Sequence, residues 1–247
     1  LGRILFRLLS AGWMILALVF GVILVFLLFG DFAHVLLGVG GAGRSGRQGG
    51  RWLDEVSVEH NGSASKIAIV EVEGIITGQA WDGSGRSMVE LLEDQLKMAK
   101  HDKAVKAVIL KVDSPGGEVM ASDRIARAIA DFQEKTGKPV IAAMGGLAAS
   151  GGYYVSAPCQ WIVANELTMT GSIGVIMHSF NYRGLLDKVG LYPQVFKSGK
   201  FKDMLSGTKK IEDIDPREGQ MIQDIFTATY NKFKDVVAEG RRRAQKK

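Results

Sequence analysis

Ser150 lies in "LAASGGYYVSA" (147–157), a hydroxyl followed by two glycines and two tyrosines, in a chain with only four histidines. A serine nucleophile needs a base and hydrogen-bond donors for the oxyanion it creates. The N–H of Gly151, next in sequence, is one such donor if Ser150 opens a helix. Taken alone, Ser150 reads more readily as a helix cap or a residue chosen for tight packing than as a nucleophile. The stretch is not the G-x-S-x-G elbow of α/β-hydrolases, because position 148 is Ala.

A second glycine pair stands in "VDSPGGEV" (112–119), directly after a strand-like run. Adjacent glycines allow backbone N–H groups to be aimed outward around an anion, although an ordinary strand-to-helix turn has the same composition. For the base, His34 adjoins an apolar run, His60 falls in a tether, and His101 follows a surface helix, which leaves His178 as a reserve. Lysine is the other partner chemistry offers, since an amine desolvated by apolar neighbours loses its proton near neutral pH. "VFKSGKFKDMLSG" (195–207) holds Lys197, Lys200 and Lys202, and spacing does not choose among them.

The elements that must position these residues alternate in type. Strand-like runs fall at 66–76, 104–112, 138–144, 161–165, 172–177 and 192–196, with helical periodicity at 87–100, 121–137, 181–190 and about 215–242. Gly137 is the stop signal of the second helix. This alternation predicts an α/β fold with largely parallel pairing.

Ahead of that domain, residues 8–29 carry no charge and one hydroxyl. Twenty-two helical residues reach roughly 33 Å, enough for a bilayer core. The expected plan is a basic segment (1–7), one transmembrane helix (8–30), a glycine-rich tether (31–65) and a folded domain (66–247). Seven glycines in residues 38–50 mark the tether as flexible; it is a poor phosphate loop, having no strand before it. Arg3 and Arg7 before the span balance Arg44, Arg47 and Arg51 after it, so the positive-inside rule leaves orientation open. The net charge of +5 comes largely from these residues and the closing "GRRRAQKK", which favours a membrane surface or solvated tail over nucleic acid. Cys159 stands alone, which excludes an intrachain disulfide and a multi-cysteine metal site.

Four motifs in order, "VDSPGG", "AASGGYY", "TGSIGVI" and "FKSGKFKDM", resemble the signal peptide peptidase A (SppA/SohB) family of membrane-anchored Ser–Lys proteases. The resemblance runs from about residue 66 to about 240. It implies Ser150 as nucleophile, Lys202 as general base, Gly117 and Gly151 as oxyanion-hole donors, and Ser172 as the hydroxyl that holds the lysine amine. It implies a ClpP/crotonase-like spiral of ββα units, no cofactor and no metal. Peptide substrates are expected, remnant signal peptides or similar apolar segments, with the lipid bilayer and further copies of the chain as partners. It further implies a single-pass bacterial-type inner membrane protein with an extracytoplasmic catalytic domain, Ser and Lys lying in one chain. Family domains continue past the position matching residue 240, so further elements are expected, either cut from this sequence or supplied elsewhere. Two rival functions are a crotonase-like acyl-CoA enzyme and a non-catalytic membrane scaffold; neither needs Ser150 paired with Lys202.

Overall fold

The computed structural model describes residues 53–60, 62–80 and 85–245. Two compact units, Leu1–Glu55 and Val56–Lys247, divide the chain. Nearly all of the first, including the span expected at 8–30, lies outside the described residues. Among the described residues no helix is long and apolar enough to cross a membrane.

The second unit alternates strands and helices as far as its fourth strand: β1 (Lys66–Ile76), α1 (Met88–His101), β2 (Val105–Gly117), α2 (Val119–Thr136), β3 (Val140–Ala149), α3 (Gly151–Ser156) and β4 (Trp161–Val163). Then come β5 (Met169–Gly171), α4 (Arg183–Lys188) and α5 (Pro216–Gln245). The sheet is parallel throughout, in the order β1-β2-β3-β4, with β5 pairing the far end of β3. Because the order advances in one direction, right-handed crossovers put the connecting helices on one face. The side chains agree. Val70, Val72, Val108, Leu110, Val112, Val140 and Ala142 turn into a core with Leu92, Ile125 and Ile129 from α1 and α2. On the opposite face Ile67, Trp161 and Val163 are exposed.

Local chemistry sets the helix ends. Ser87 and Glu90 form a reciprocal capping box at the start of α1. α2 stops at Gly137, whose φ of 69° is the left-handed geometry that glycine takes without a Cβ clash. At the start of α5 the Asp215 carboxylate accepts from Arg217 N at 3.0 Å, and Pro216 follows it as the first helical residue.

The far end of α5 is docked by contact. The Arg241 guanidinium donates to the carbonyls of Ala157 and Cys159, just past α3. This arginine in "GRRRAQKK" is thus a structural donor rather than part of a free tail. A Cβ on the neighbouring Gly240 would lie 2.2 Å from Ala157 O. Helix propensity alone favours Ala over Gly by about 1 kcal/mol. A backbone oxygen cannot rotate away as a side chain can, so overpacking of about 1–3 kcal/mol wins. Gly240→Ala should therefore lower the melting temperature, and a rise would show that α5 does not seat here.

Two expected strands do not form. Residues 172–177 and 192–196 carry no strand, and the fifth ladder falls instead on Met169–Gly171. Segment 172–182 has no regular secondary structure, and its Ile176 and Phe180 are exposed. Its β-branched residues suit a strand but meet no ladder partner.

Candidate active site

β2 and β3 both run past their expected ends, and those extensions build the site. Ser114 is fully buried; its hydroxyl donates to Gly74 O (2.6 Å) and accepts from Gly116 N (3.0 Å), which bends the end of β2. Gly116 then takes φ 97°, which side chains avoid, and a Cβ there would lie 2.5 Å from Gly151 N and 2.9 Å from Ser150 Cβ. The two glycine motifs thus touch. Sequence reasoning missed Ser114 and Gly116 as builders of the site; the signal was a small polar residue directly before the Pro-Gly-Gly turn.

Gly117 is held by β1. The N–H of Glu118 donates to Ile76 O at 2.8 Å, and Ile76 pairs with Gly117. In a parallel ladder this alternation turns the N–H of Gly117 away from β1. Gly151 lies on that side: a Cβ built on it would be 3.2 Å from Gly117 N and 2.5 Å from Ser122 Oγ. Gly151 is also the first residue of α3, so its N–H has no acceptor within the helix. The two expected donors therefore sit side by side. The Glu118 carboxylate braces the rim, accepting from Gly78 N (2.9 Å) and Thr77 Oγ1 (2.7 Å). The Gly78 N–H and then the Thr77 hydroxyl hold its pKa below the usual carboxylate range.

Ser150 joins β3 to α3 with φ 51° and ψ −118°, a backbone region that costs a non-glycine residue about 1–3 kcal/mol. Its N–H donates to Gly171 O (2.8 Å) and its C=O accepts from Tyr154 N (2.9 Å), so the backbone is fixed on both sides. The half-buried side chain makes no capping bond. The cap reading of this serine fails: it stands where a cap would and does not cap. Below it, Tyr154 donates to Asp123 (2.7 Å) and packs edge-on against Phe233 of α5, ring centroids 4.8 Å apart. Burial, then the Asp123 bond, push its phenol up, so it stays a neutral donor.

Ser172 directly follows Gly171, the acceptor of Ser150 N–H, and shares the unusual φ of 51°. It is close to Ser150 along the β3–β5 ladder, but exposed. The lysines separate clearly. Lys197 pairs with Asp203 (2.7 Å) and Lys200 with Asp215 (2.8 Å). Lys202 is exposed in the turn 201–205, with its backbone N–H on Gly199 O (3.2 Å), and among the described residues its Nζ has no partner. No hydrogen bond joins it to Ser150 or Ser172. Cys159 offers no rival nucleophile: burial pushes its thiol up to about 12, and reactivity belongs to the thiolate. Among the described residues no group of three or more His, Cys, Asp or Glu is placed to hold a metal ion.

The domain thus carries a strained serine at a strand-to-helix turn, packed against the glycine pair that ends β2. Residues 132–247 match the model of peptidase family S49. The chain carries a domain of that family. It is 39% identical over 201 residues to a putative signal peptide peptidase SppA of Enterococcus faecium, covering 78% of this chain and 56% of that one. It is 35% identical over 190 residues to Protease 4 of Haemophilus influenzae, covering 74% of this chain and 29% of that one. The chain thus spans about half, or less, of these relatives' lengths. A solved structure of a membrane-bound stomatin-specific protease aligns over 47% of this chain and 52% of its own, at 21% identity and a TM-score of 0.39, too loose for any residue to be carried across.

Proposed function

We propose that this domain hydrolyses peptide bonds through Ser150 as nucleophile, with Lys202 as general base and the N–H groups of Gly117 and Gly151 as oxyanion donors. The observation that carries the reading is the uncapped hydroxyl of Ser150 on a strained turn beside those two N–H groups. Lys202 is supported by elimination, since Lys197 and Lys200 are both bound to carboxylates.

In the reaction, neutral Lys202 accepts the Ser150 proton as Oγ bonds to the substrate carbonyl carbon. The carbonyl oxygen takes the negative charge between the two N–H groups. Collapse breaks the C–N bond, the lysine ammonium returns its proton to the leaving amine, and water repeats the sequence to release the acyl group. This needs Lys202 Nζ within about 2.6–3.2 Å of Ser150 Oγ, reached by closure of the 197–206 turn or on assembly. Ser172 is the hydroxyl that would steady the amine.

The proposal extends to apolar, membrane-derived peptides as substrates, to an anchor at 8–30, to an extracytoplasmic domain and to self-association. The names of the relatives support the first. Exposed Phe196 (94%), Phe180 and Ile176 (both 81%) are apolar surface that self-association would cover. The β–α succession is compatible with the ββα spiral expected for the complete domain. The test is cleavage of a fluorogenic signal-peptide sequence by the full chain in detergent, beside hydrolysis of an acyl-CoA thioester. Peptide cleavage lost in Ser150→Ala supports the protease. Thioester turnover without peptide cleavage would replace it with a crotonase-like enzyme, and activity in neither assay with a scaffold.

A further inference from the structure

Around the turn that carries Lys202, every neighbouring cation has a carboxylate. Lys197 and Lys209 share Oδ1 of Asp203 (2.7 and 3.1 Å), Lys209 also reaches Glu218 (2.8 Å), and Lys200 and Arg217 share Asp215 (both 2.8 Å). Phe201 lies beneath the last two cations, with Lys200 Nζ 5.6 Å and the Arg217 guanidinium 5.2 Å from its ring centre. Lys202, between Phe201 and Asp203, has no partner among the described residues.

The least exposed members are Lys209, Glu218 and Asp203, with side chains 10%, 7% and 14% exposed, against 34% for Lys197. Lys209 bridges the turn to the first turn of α5, where Glu218 also accepts from Asp215 N (3.3 Å). Asp203 is the immediate neighbour of Lys202. A carboxylate left free there would draw the Lys202 ammonium and favour its charged form. A general base must be neutral. We propose that Lys209 is a positioning residue that occupies the Asp203 carboxylate, ties the turn to α5, and so keeps Lys202 available as a base. The inference rests on the Ser150–Lys202 reading and adds a residue to it. Glu218 in turn holds Lys209: its carboxylate first, then that of Asp203, keep the Lys209 amine charged against the opposing effect of burial. Lys197, more exposed and on the same oxygen, is the weaker substitute because water screens its pairing.

The test is the rate at which a fluorophosphonate labels the full chain in detergent, measured across pH. A neutral base gives labelling that falls as pH falls, and a raised lysine pKa moves that limb upward. Lys209→Gln, which still offers Glu218 a hydrogen bond, should raise the limb by about one pH unit, or roughly tenfold slower labelling on the acid side, and meet wild type at high pH. Lys209→Arg should return the limb, as should Asp203→Asn added to Lys209→Gln. An unmoved limb, an equal loss at every pH, or a shift that Asp203→Asn leaves in place would overturn the proposal. If Lys209→Gln does not fold, Asp203→Asn alone decides: its limb stays or moves down, and a rise overturns the idea. Lys202→Ala run in parallel separates the two layers. If it labels as fast as wild type, the Lys202 reading falls and this inference with it. If it is inert while Lys209→Gln keeps the wild-type limb, only the inference falls.

Discussion

Ser150→Ala and Lys202→Ala should each reduce peptide hydrolysis by a factor of about 10⁴ or more while leaving the melting temperature within a degree or two of wild type. The magnitude follows from how such groups act: they form one nucleophilic unit, and removing either removes nearly all of its contribution. The stability expectation comes from the structure. Ser150 makes no side-chain bond that alanine would lose, and Lys202 has no ion pair to break. Most of Ser150's cost is in its backbone, which alanine inherits at φ 51°. The double variant should be little worse than either single one. Full activity in Lys202→Ala would pass the base to another group and leave the isolation of this lysine without a purpose.

Gly117→Ala is the second large effect and differs in kind. Its new Cβ would lie 2.0 Å from Ile76 O, a backbone atom of β1 that cannot turn aside. The end of the β1–β2 ladder must open, and with it the Glu118 N–H bond to Ile76. The N–H of Gly117 then leaves the position from which it faces Gly151. Loss of one oxyanion donor costs about 10²–10³ in kcat, and the overpacking adds about 1–3 kcal/mol of destabilisation. KM should change far less than kcat, because the donor acts on charge that develops only in the transition state. Gly146→Ala is the control: its Cβ meets nothing within 4 Å, so activity and stability should match wild type. A Gly117→Ala protein with wild-type kcat would remove Gly117 from the oxyanion hole.

The strand and helix alternation was legible because its periodicities are strong, as in the alternating burial of β1 and β2 and the capped, one-faced α1. What sequence misjudged were the extensions. Pro115 and its glycines read as the end of β2, yet the strand bulges between Asp113 and Gly116 and runs on to Gly117, since β1 continues beside it. Residues 172–177 read as a strand, but strand identity depends on a partner, and β3 gives its free edge to Met169–Gly171. The site shows the same limit. Ser150 could be a cap or a nucleophile on local grounds, and only its backbone angles and empty hydroxyl separate the two. Three lysines in "KSGKFK" are equivalent as letters. The carboxylates that divide them, Asp203 close by and Asp215 further along the chain, are assigned only by the fold.

The most direct measurement is mass-spectrometric mapping of a fluorophosphonate adduct on the full chain. A single phosphonylated residue at Ser150, absent after Ser150→Ala, is the predicted result. An adduct on any other serine, or none on a chain that cleaves peptides, would contradict the assignment of Ser150 as nucleophile.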